Sequence, residues 1–211
     1  MKYYPIYLDL KKRLVLLVGA GPVALQKIDG LLASGARVRV AAPEAAPEIE
    51  RLAAQGRIEW RRREYATADL EGVRLVIAAT DDPALQRRIA SEARELNLWV
   101  NVVDVPPLCD FIAPAVVRQG DVQIAVSTGG AAPALAKFIR KKLEPMIGPE
   151  YAELVRIVEP LRGAILKLPK ERRQALWERV ASQPFLDQIK NEGVEKAEAR
   201  LKEWINGKRA L

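Results

Sequence analysis

The chain has 211 residues, 49% apolar and 29% charged, with a formal net charge of +7. That is the composition of a soluble globular protein with an ample core, and it excludes disordered and fibrous classes. The charge is uneven: residues 1–113 carry 16 Lys or Arg against 15 Asp or Glu, and residues 114–211 carry 18 against 12. A basic second half suggests an anionic partner, although charged helices facing water give the same excess. The longest apolar run, Leu14 to Leu25, contains two glycines and a proline, so no membrane span is expected. Met-Lys-Tyr-Tyr-Pro at the start lacks the apolar core of a secretory signal, and Cys109 is the only cysteine, in keeping with a cytoplasmic protein without an internal disulfide. There is no histidine. Acid–base work must then fall to carboxylates, lysines or tyrosines, and no metal site is expected.

In chain order, YPIYLDL (4–10) could form an edge strand. LVLLVG (14–19) reads as a buried strand, and PVALQKIDGLLASG (22–35) as a helix stopped by Gly35. RVRVAAP (37–43) is a second strand and EAAPEIERLAAQG (44–56) a second helix. RLVIAAT (74–80), DPALQRRIASEARELN (82–97) and LWVNVVD (98–104) follow as strand, helix and strand. Strands alternating with helices of this length predict an α/β fold, a doubly wound parallel sheet of Rossmann type with right-handed crossovers. The period then changes. FIAPAVVRQGDVQIAVST (111–128) reads as a hairpin around Gln119-Gly120-Asp121, and from Ala131 onward the chain is helical, with Pro149, Pro169 and Pro184 at expected first turns. The expected division is a nucleotide-binding domain over 1–113, a hairpin and helix over 114–150, and a helical domain over 151–211.

Gly19-Ala20-Gly21-Pro22-Val23-Ala24 follows the first strand and opens the first helix. It is a G-x-G-x-x-A form of the dinucleotide fingerprint: a tight turn, a close backbone approach to pyrophosphate, and a small residue where helix meets strand. The acid usually found about 20 residues later is missing, because the second strand ends Ala41-Ala42-Pro43 and Glu44 is the nearest carboxylate. With no arginine at that tip either, NAD is expected over NADP, with Pro43 and Glu44 near the adenosine. In AATDDP (78–83), Thr80 and Asp81 should border the cofactor cleft, while Asp81 or Asp82 serves as a helix cap. Asn101 is a further cofactor-side candidate. Asp104 ends the fourth strand on the same edge, either as a strand-end cap or as a carboxylate aimed into the cleft. Ser127, Thr128, Gly129 and Gly130 precede a helix start and could hold an anion or simply cap that helix. Lys137 and Arg140 share a helix face by their i, i+3 spacing and are candidates for holding acidic groups.

YPIYLDLKKRLVLLVGAGPVALQK, AATDDP, NVVDVPPLCDFIAPA and VSTGGAAPALAKFIRKKLE together resemble the precorrin-2 dehydrogenases of sirohaem synthesis, relatives of the N-terminal half of multifunctional sirohaem synthases. The likeness covers residue 3 to about 145. Gln26 stands where an arginine is usual before Lys27, and Thr128 where many members have serine. The resemblance implies NAD-dependent oxidation of precorrin-2, a tetrapyrrole with eight carboxylates, to sirohydrochlorin. It also implies a catalytic role for Asp104, substrate contacts in the 127–140 region, and a homodimer built through the 114–150 hairpin segment. A polycarboxylate substrate would explain the basic second half without nucleic acid or membrane. Some members also insert Fe²⁺ as a co-substrate; with no histidine and no cysteine pair here, the residues lean against an efficient ferrochelatase. No methyltransferase domain is expected after Leu211. The alternative is a regulatory domain that binds NAD without turning it over; it would normally end near residue 140 and needs neither NVVD nor the basic helices.

Overall fold

Five consecutive apolar residues, Leu14–Val18, form β1, and every one of them is buried. A continuous apolar strand is what a central position demands, because helices cover both of its faces. In the computed structural model, which describes residues 3–207, β1 is flanked by β2 (Arg37–Ala41) and β4 (Val73–Ala78). β3 (Glu59–Arg61) and β5 (Trp99–Val102) form the edges, in the order β3-β2-β1-β4-β5 with every pair parallel. The connecting helices are α1 (Pro22–Ala33), α2 (Pro47–Ala54) and α3 (Pro83–Glu95). Alternate residues of β1 feed two cores. Val15 and Leu17 pack with Ala24, Ile28 and Ile49 of α1 and α2, while Leu16 and Val18 pack with Ile89 and Ala93 of α3. The doubly wound parallel sheet expected from the sequence is therefore the fold of this part of the chain.

Several elements differ from expectation. Residues 4–10 form no strand: both sides of β1 are taken by β2 and β4, Pro5 lacks a ladder donor, and Tyr4 and Tyr7 are exposed. β3 was not anticipated; a three-residue Glu-Trp-Arg edge strand has no apolar run to announce it. The second helix begins at Pro47 rather than Glu44, with Pro47 in its first turn. β5 stops at Val102, two residues short of Asp104.

The chain divides into two compact units, Met1–Ala113 and Pro114–Leu211. In the second, β6 (Ala115–Gln119) and β7 (Val122–Val126) form an antiparallel hairpin that turns at Gly120-Asp121, where Gly120 has φ +55°. Among the described residues, five α-helices follow: α4 (Pro133–Leu143), α5 (Pro149–Leu166), α6 (Lys170–Val180), α7 (Gln183–Glu192) and α8 (Val194–Ile205). Pro149 and Pro184 lie in the first turns of α5 and α7, whereas Pro169 is the residue that caps α6. Gly193, at φ +92°, a conformation that side chains disfavour, separates α7 from α8. Ile157, Ile165, Leu176, Phe185, Leu201 and Trp204 form the core of this helical part.

One buried charge fastens the connection between β3 and β4. Asp69, 2% exposed, sits in the helical turn Thr67–Leu70, accepts two hydrogen bonds from Arg63 at 2.7 and 2.8 Å, and accepts one from the Ala66 N–H at 2.9 Å. Burial alone would raise its pKa, but the bonds from Arg63 and Ala66 and the charge of Arg39 outweigh it and lower the pKa below the usual range. A lowered carboxylate pKa adds stability above the unfolded-state value of ~3.9, and that stability is lost as pH falls through the lower folded value. Asp69→Asn should cost about 2 kcal/mol at pH 7, measured by urea unfolding, and the gap from wild type should shrink below pH 4.

Candidate functional site

The carboxyl ends of β1, β2, β4 and β5 share one edge, and the strand order reverses direction between β1 and β4, where ligands of open α/β sheets bind. Hydrogen bonds lace this edge together: Gly19 N–H to Ala41 O at 3.0 Å, Ala79 N–H to Val18 O at 2.8 Å, and Val103 N–H to Ala78 O at 2.9 Å. Gly19, at φ +98°, passes so close to the next strand that a Cβ would stand 2.2 Å from Ala79 O. No other residue fits there.

Gly21 is different. It caps α1 at φ −85°, an ordinary conformation, and a Cβ on it would meet nothing within 4 Å. The first turn of α1 has no acidic residue and no side-chain cap, so the Val23 and Ala24 N–H groups point out of the helix start without an intrahelical partner. That open backbone with positive dipole suits a pyrophosphate. Buried Ala24 lets α1 pack against β1, and buried Ala20 accepts a hydrogen bond from Ala46 N–H at 2.9 Å, which fixes where α2 begins. Pro22, Val23, Pro43 and Glu44 are exposed around this seat. Beside it lies a feature that the sequence alone did not disclose. Trp60 of β3 donates its indole N–H to Ala42 O at 3.0 Å, and the Arg62 guanidinium lies 5.2 Å from the Trp60 ring centre. The tip of β2 carries no arginine, but the neighbouring edge strand does.

After β4, the Thr80 carbonyl accepts from the Gln86 amide at 2.6 Å, and Asp82 caps α3 by accepting from Ala84 N–H at 2.8 Å. Asp81 is exposed at the same edge, since the capping role belongs to its neighbour. Beyond β5 the chain turns sharply. Asp104 occupies that turn, not the strand, with φ +62° and its side chain exposed. Pro106–Leu108 form a single helical turn, after which residues 109–111 run back along β5. Asp110 and Val100 exchange bonds: Asp110 N–H to Val100 O at 2.8 Å and Val100 N–H to the Asp110 carboxylate at 3.1 Å. The Cys109 thiol donates to Val102 O at 3.1 Å, and the Asn101 amide donates to Phe111 O at 2.9 Å. Asn101 is thus occupied in fastening this return segment. The two prolines and their fasteners hold Asp104 on its turn.

In the second unit, Ser127 accepts from Gly129 N–H at 3.0 Å and Thr128 accepts from Ala132 N–H at 3.0 Å, so both hydroxyls act within the turn that leads to α4. Gly129 and Gly130 adopt φ +66° and +85° there. Lys137 is exposed, and Arg140 forms a two-pronged pair with Glu144, both contacts at 2.9 Å. Among the described residues, no three Asp, Glu or Cys side chains gather in a way that could hold a metal ion, and no helix is long and apolar enough to cross a membrane.

Residues 6–115 match the family model described as "Putative NAD(P)-binding", and the chain belongs to that family. Residues 119–146 match the sirohaem biosynthesis protein central region and 150–205 the sirohaem synthase dimerisation region. The chain is 39% identical over 207 residues to the sirohaem synthase of Chromobacterium violaceum, covering 97% of this chain and 44% of that protein. It is 42% identical over 205 residues to the sirohaem synthase of Methylococcus capsulatus, covering 96% and 43%. The chain therefore spans less than half the length of these relatives. Among solved structures, SirC, a precorrin-2 dehydrogenase, superposes with a TM-score of 0.74 at 26% identity, covering 97% of this chain and 100% of that one.

The two glycines should respond differently to substitution. Gly21→Asp should fold normally, because its backbone is unstrained and its Cβ meets open space, yet lose NAD⁺ binding through charge at the anion seat. Gly19→Ala should instead cost about 2 kcal/mol or more of stability, from positive φ and collision with Ala79 O. Isothermal titration with NAD⁺ and thermal melting of both variants would separate binding from folding. A folded Gly21→Asp protein with wild-type NAD⁺ affinity would contradict this seat.

Proposed function

We propose that the chain oxidises precorrin-2 to sirohydrochlorin with NAD⁺, in sirohaem synthesis. The observation that carries this reading is the single sheet edge of the first unit, where an unobstructed helix start lies alongside a turn presenting Asp104. The likeness to SirC over its whole length supports extending the reading to the helical part, which a binding-only nucleotide sensor would not need. The open Cβ direction at Gly21 and the uncapped α1 fit NAD⁺, with Gly19, Gly21, Val23 and Ala24 holding its pyrophosphate. When bound, NAD⁺ supplies the hydride acceptor. The protein's own task is to orient the substrate and to take the proton whose bonding electrons form the new double bond as the hydride leaves.

Asp104 is the base we assign to that proton. The chain has no histidine, and Asp104 is exposed on a rigidly fastened turn at the cofactor edge. The left-handed conformation of Asp104 is one that Asp and Asn tolerate better than most residues. Asp104→Asn therefore removes the base while preserving the turn, a cleaner test than alanine. It should keep NAD⁺ affinity and melting temperature while slowing precorrin-2 oxidation about 10²–10⁴-fold. Near-normal turnover would reduce Asp104 to a turn residue. Insertion of iron into the product would need the same base. Given the donor set, we expect Co²⁺ insertion into sirohydrochlorin to proceed at the uncatalysed rate, which a spectrophotometric assay would reveal.

The basic second half is the surface we assign to the substrate's carboxylates, within a cytoplasmic homodimer whose assembly the match to the dimerisation region supports. Arg140 is already committed to Glu144, which leaves exposed Lys137 as the better contact of the two. Exposed attraction is screened over roughly 8 Å at physiological ionic strength. Raising salt from 50 to 500 mM should then raise KM for precorrin-2 more than KM for NAD⁺, and Lys137→Gln should flatten that dependence. A precorrin-2 KM indifferent to both would leave these charges a role in hydration alone.

A further inference from the structure

The opposite edge of the parallel sheet carries its own cluster. Because β1, β2 and β4 start in register, with Leu14 beside both Arg37 and Val73, the residues entering those strands converge. Lys12, Arg13, Arg37, Arg39 and Arg74 line a cavity of about 480 Å³, with Glu71 the one acid among its walls. Arg39 is spoken for: it is bonded to Glu59 at 3.0 Å and to the carbonyls of Asp69 and Glu71 at 2.9 and 3.2 Å. The other four are not. Arg39, Arg51, Arg61, Arg63, Arg88 and Arg94 of the same unit all pair with carboxylates. Among the described residues, Lys12, Arg13, Arg37 and Arg74 pair with none, although all four are exposed; Lys11, Lys27, Arg57, Arg62 and Arg87 of this unit also pair with none, but they do not line this cavity. Their backbones are pinned, Lys12 N–H to Gly35 O and Arg37 N–H to Arg13 O, each at 2.8 Å. Lys12 is held at φ +62°, a conformation that an unbranched lysine rarely adopts. Four like charges gathered in one hollow repel one another, and a multiply charged anion would relieve that repulsion.

We propose that this hollow is a second ligand site, binding an oligophosphate. Three guanidinium groups and an ammonium suit clustered phosphate oxygens, which arginine meets two at a time. A nucleic acid fits poorly: the first unit as a whole is nearly neutral, Glu71 interrupts the basic wall, and the charges close on a cavity instead of running as a stripe. The hollow lies the length of β1 from the dinucleotide seat, roughly 17 Å for five residues at about 3.3 Å each. Both sites should therefore fill at once.

Isothermal titration of the full chain with inorganic tripolyphosphate in 50 mM salt tests this. Binding at one site per chain is expected, unchanged by saturating NAD⁺ and by Gly21→Asp, and weakened by salt. Each of Arg13→Gln, Arg37→Gln and Arg74→Gln should weaken it up to about fivefold, and the triple variant at least about tenfold. Removing mutually repelling charges should leave the melting temperature of the triple variant at or above wild type. If that variant melts lower, the single Arg74→Gln protein decides the matter. No binding, competition with NAD⁺, or undiminished affinity in the variants would each overturn the proposal. So would equal affinity for citrate, which would indicate a general anion patch, or tighter binding of a DNA duplex at equal phosphate concentration.

Discussion

The closeness of two backbones at one point sets the geometry of the first unit. At Gly19 the end of β1 comes so near Ala79 that no side chain could lie between them. That approach lets β1 and β4 continue side by side to their ends, with Ala79 N–H reaching Val18 O. It also turns the chain directly from β1 into α1. The start of α1 is thereby aimed at the edge where strand order reverses, and no side chain of its own fills the space ahead of it. An anion seat needs an unpartnered helix start at a rigid place; here the rigidity comes from a contact that only hydrogen permits. Gly21 contributes the complementary property, vacancy. The two glycines of the fingerprint, alike in the sequence, perform opposite tasks.

Asp104 illustrates a different kind of placement. A carboxylate at the end of a buried strand would share that strand's rigidity. This one lies two residues beyond, on a left-handed turn, and owes its position to residues 105–111. Pro106 and Pro107 reverse the chain, and Asp110, Cys109 and Asn101 fasten the return segment to β5. The lone cysteine and the buried asparagine are thus used locally, as hydrogen-bonding side chains that replace a missing sheet neighbour. β5 is an edge strand, and the return segment satisfies some of the backbone groups that an edge leaves open.

These cases show where sequence reasoning reaches its limit. The central strands and their helices were legible because burial on two faces demands long apolar runs at β1 and β4, and amphipathic periods at α1 and α3. The fingerprint was legible because its glycines fall between a strand and a helix. β3 was not, since a short polar edge strand owes its conformation to a neighbour, through Ala42 N–H to Arg61 O and the Trp60 indole to Ala42 O. Asn101 read as a ligand contact because an asparagine in an apolar strand calls for a partner; the partner, Phe111 O, was ten residues away in a loop whose path the sequence did not reveal. Arg140 read as available because its i+4 neighbour Glu144 lies just past the helix end, where pairing depends on the geometry of the next turn.

The distribution of unpaired charge is more telling than its sum. In the nearly neutral first unit, half of the twelve arginines pair with carboxylates, among them Arg63 with Asp69, Arg94 with Asp110 and Arg39 with Glu59. Among the described residues, four of the cations that no carboxylate pairs, Lys12, Arg13, Arg37 and Arg74, line one hollow at the amino ends of the strands. The opposite end of the same strands keeps the acids, Asp81, Asp82 and Asp104, and presents the bare N–H groups of the α1 start, with Arg62 held over Trp60 of the neighbouring edge strand. The two edges thus offer negative ligands different kinds of seat, one made of backbone dipoles beside carboxylates and one of guanidinium groups. A backbone seat can lie next to a carboxylate without neutralising it, whereas an arginine cluster at that position would pair with Asp104 and hold the oxygens that the proposed proton transfer needs. On the proposed function, that division gives a physical reason for the edge that bears Asp104 to receive a dinucleotide chiefly through backbone dipoles.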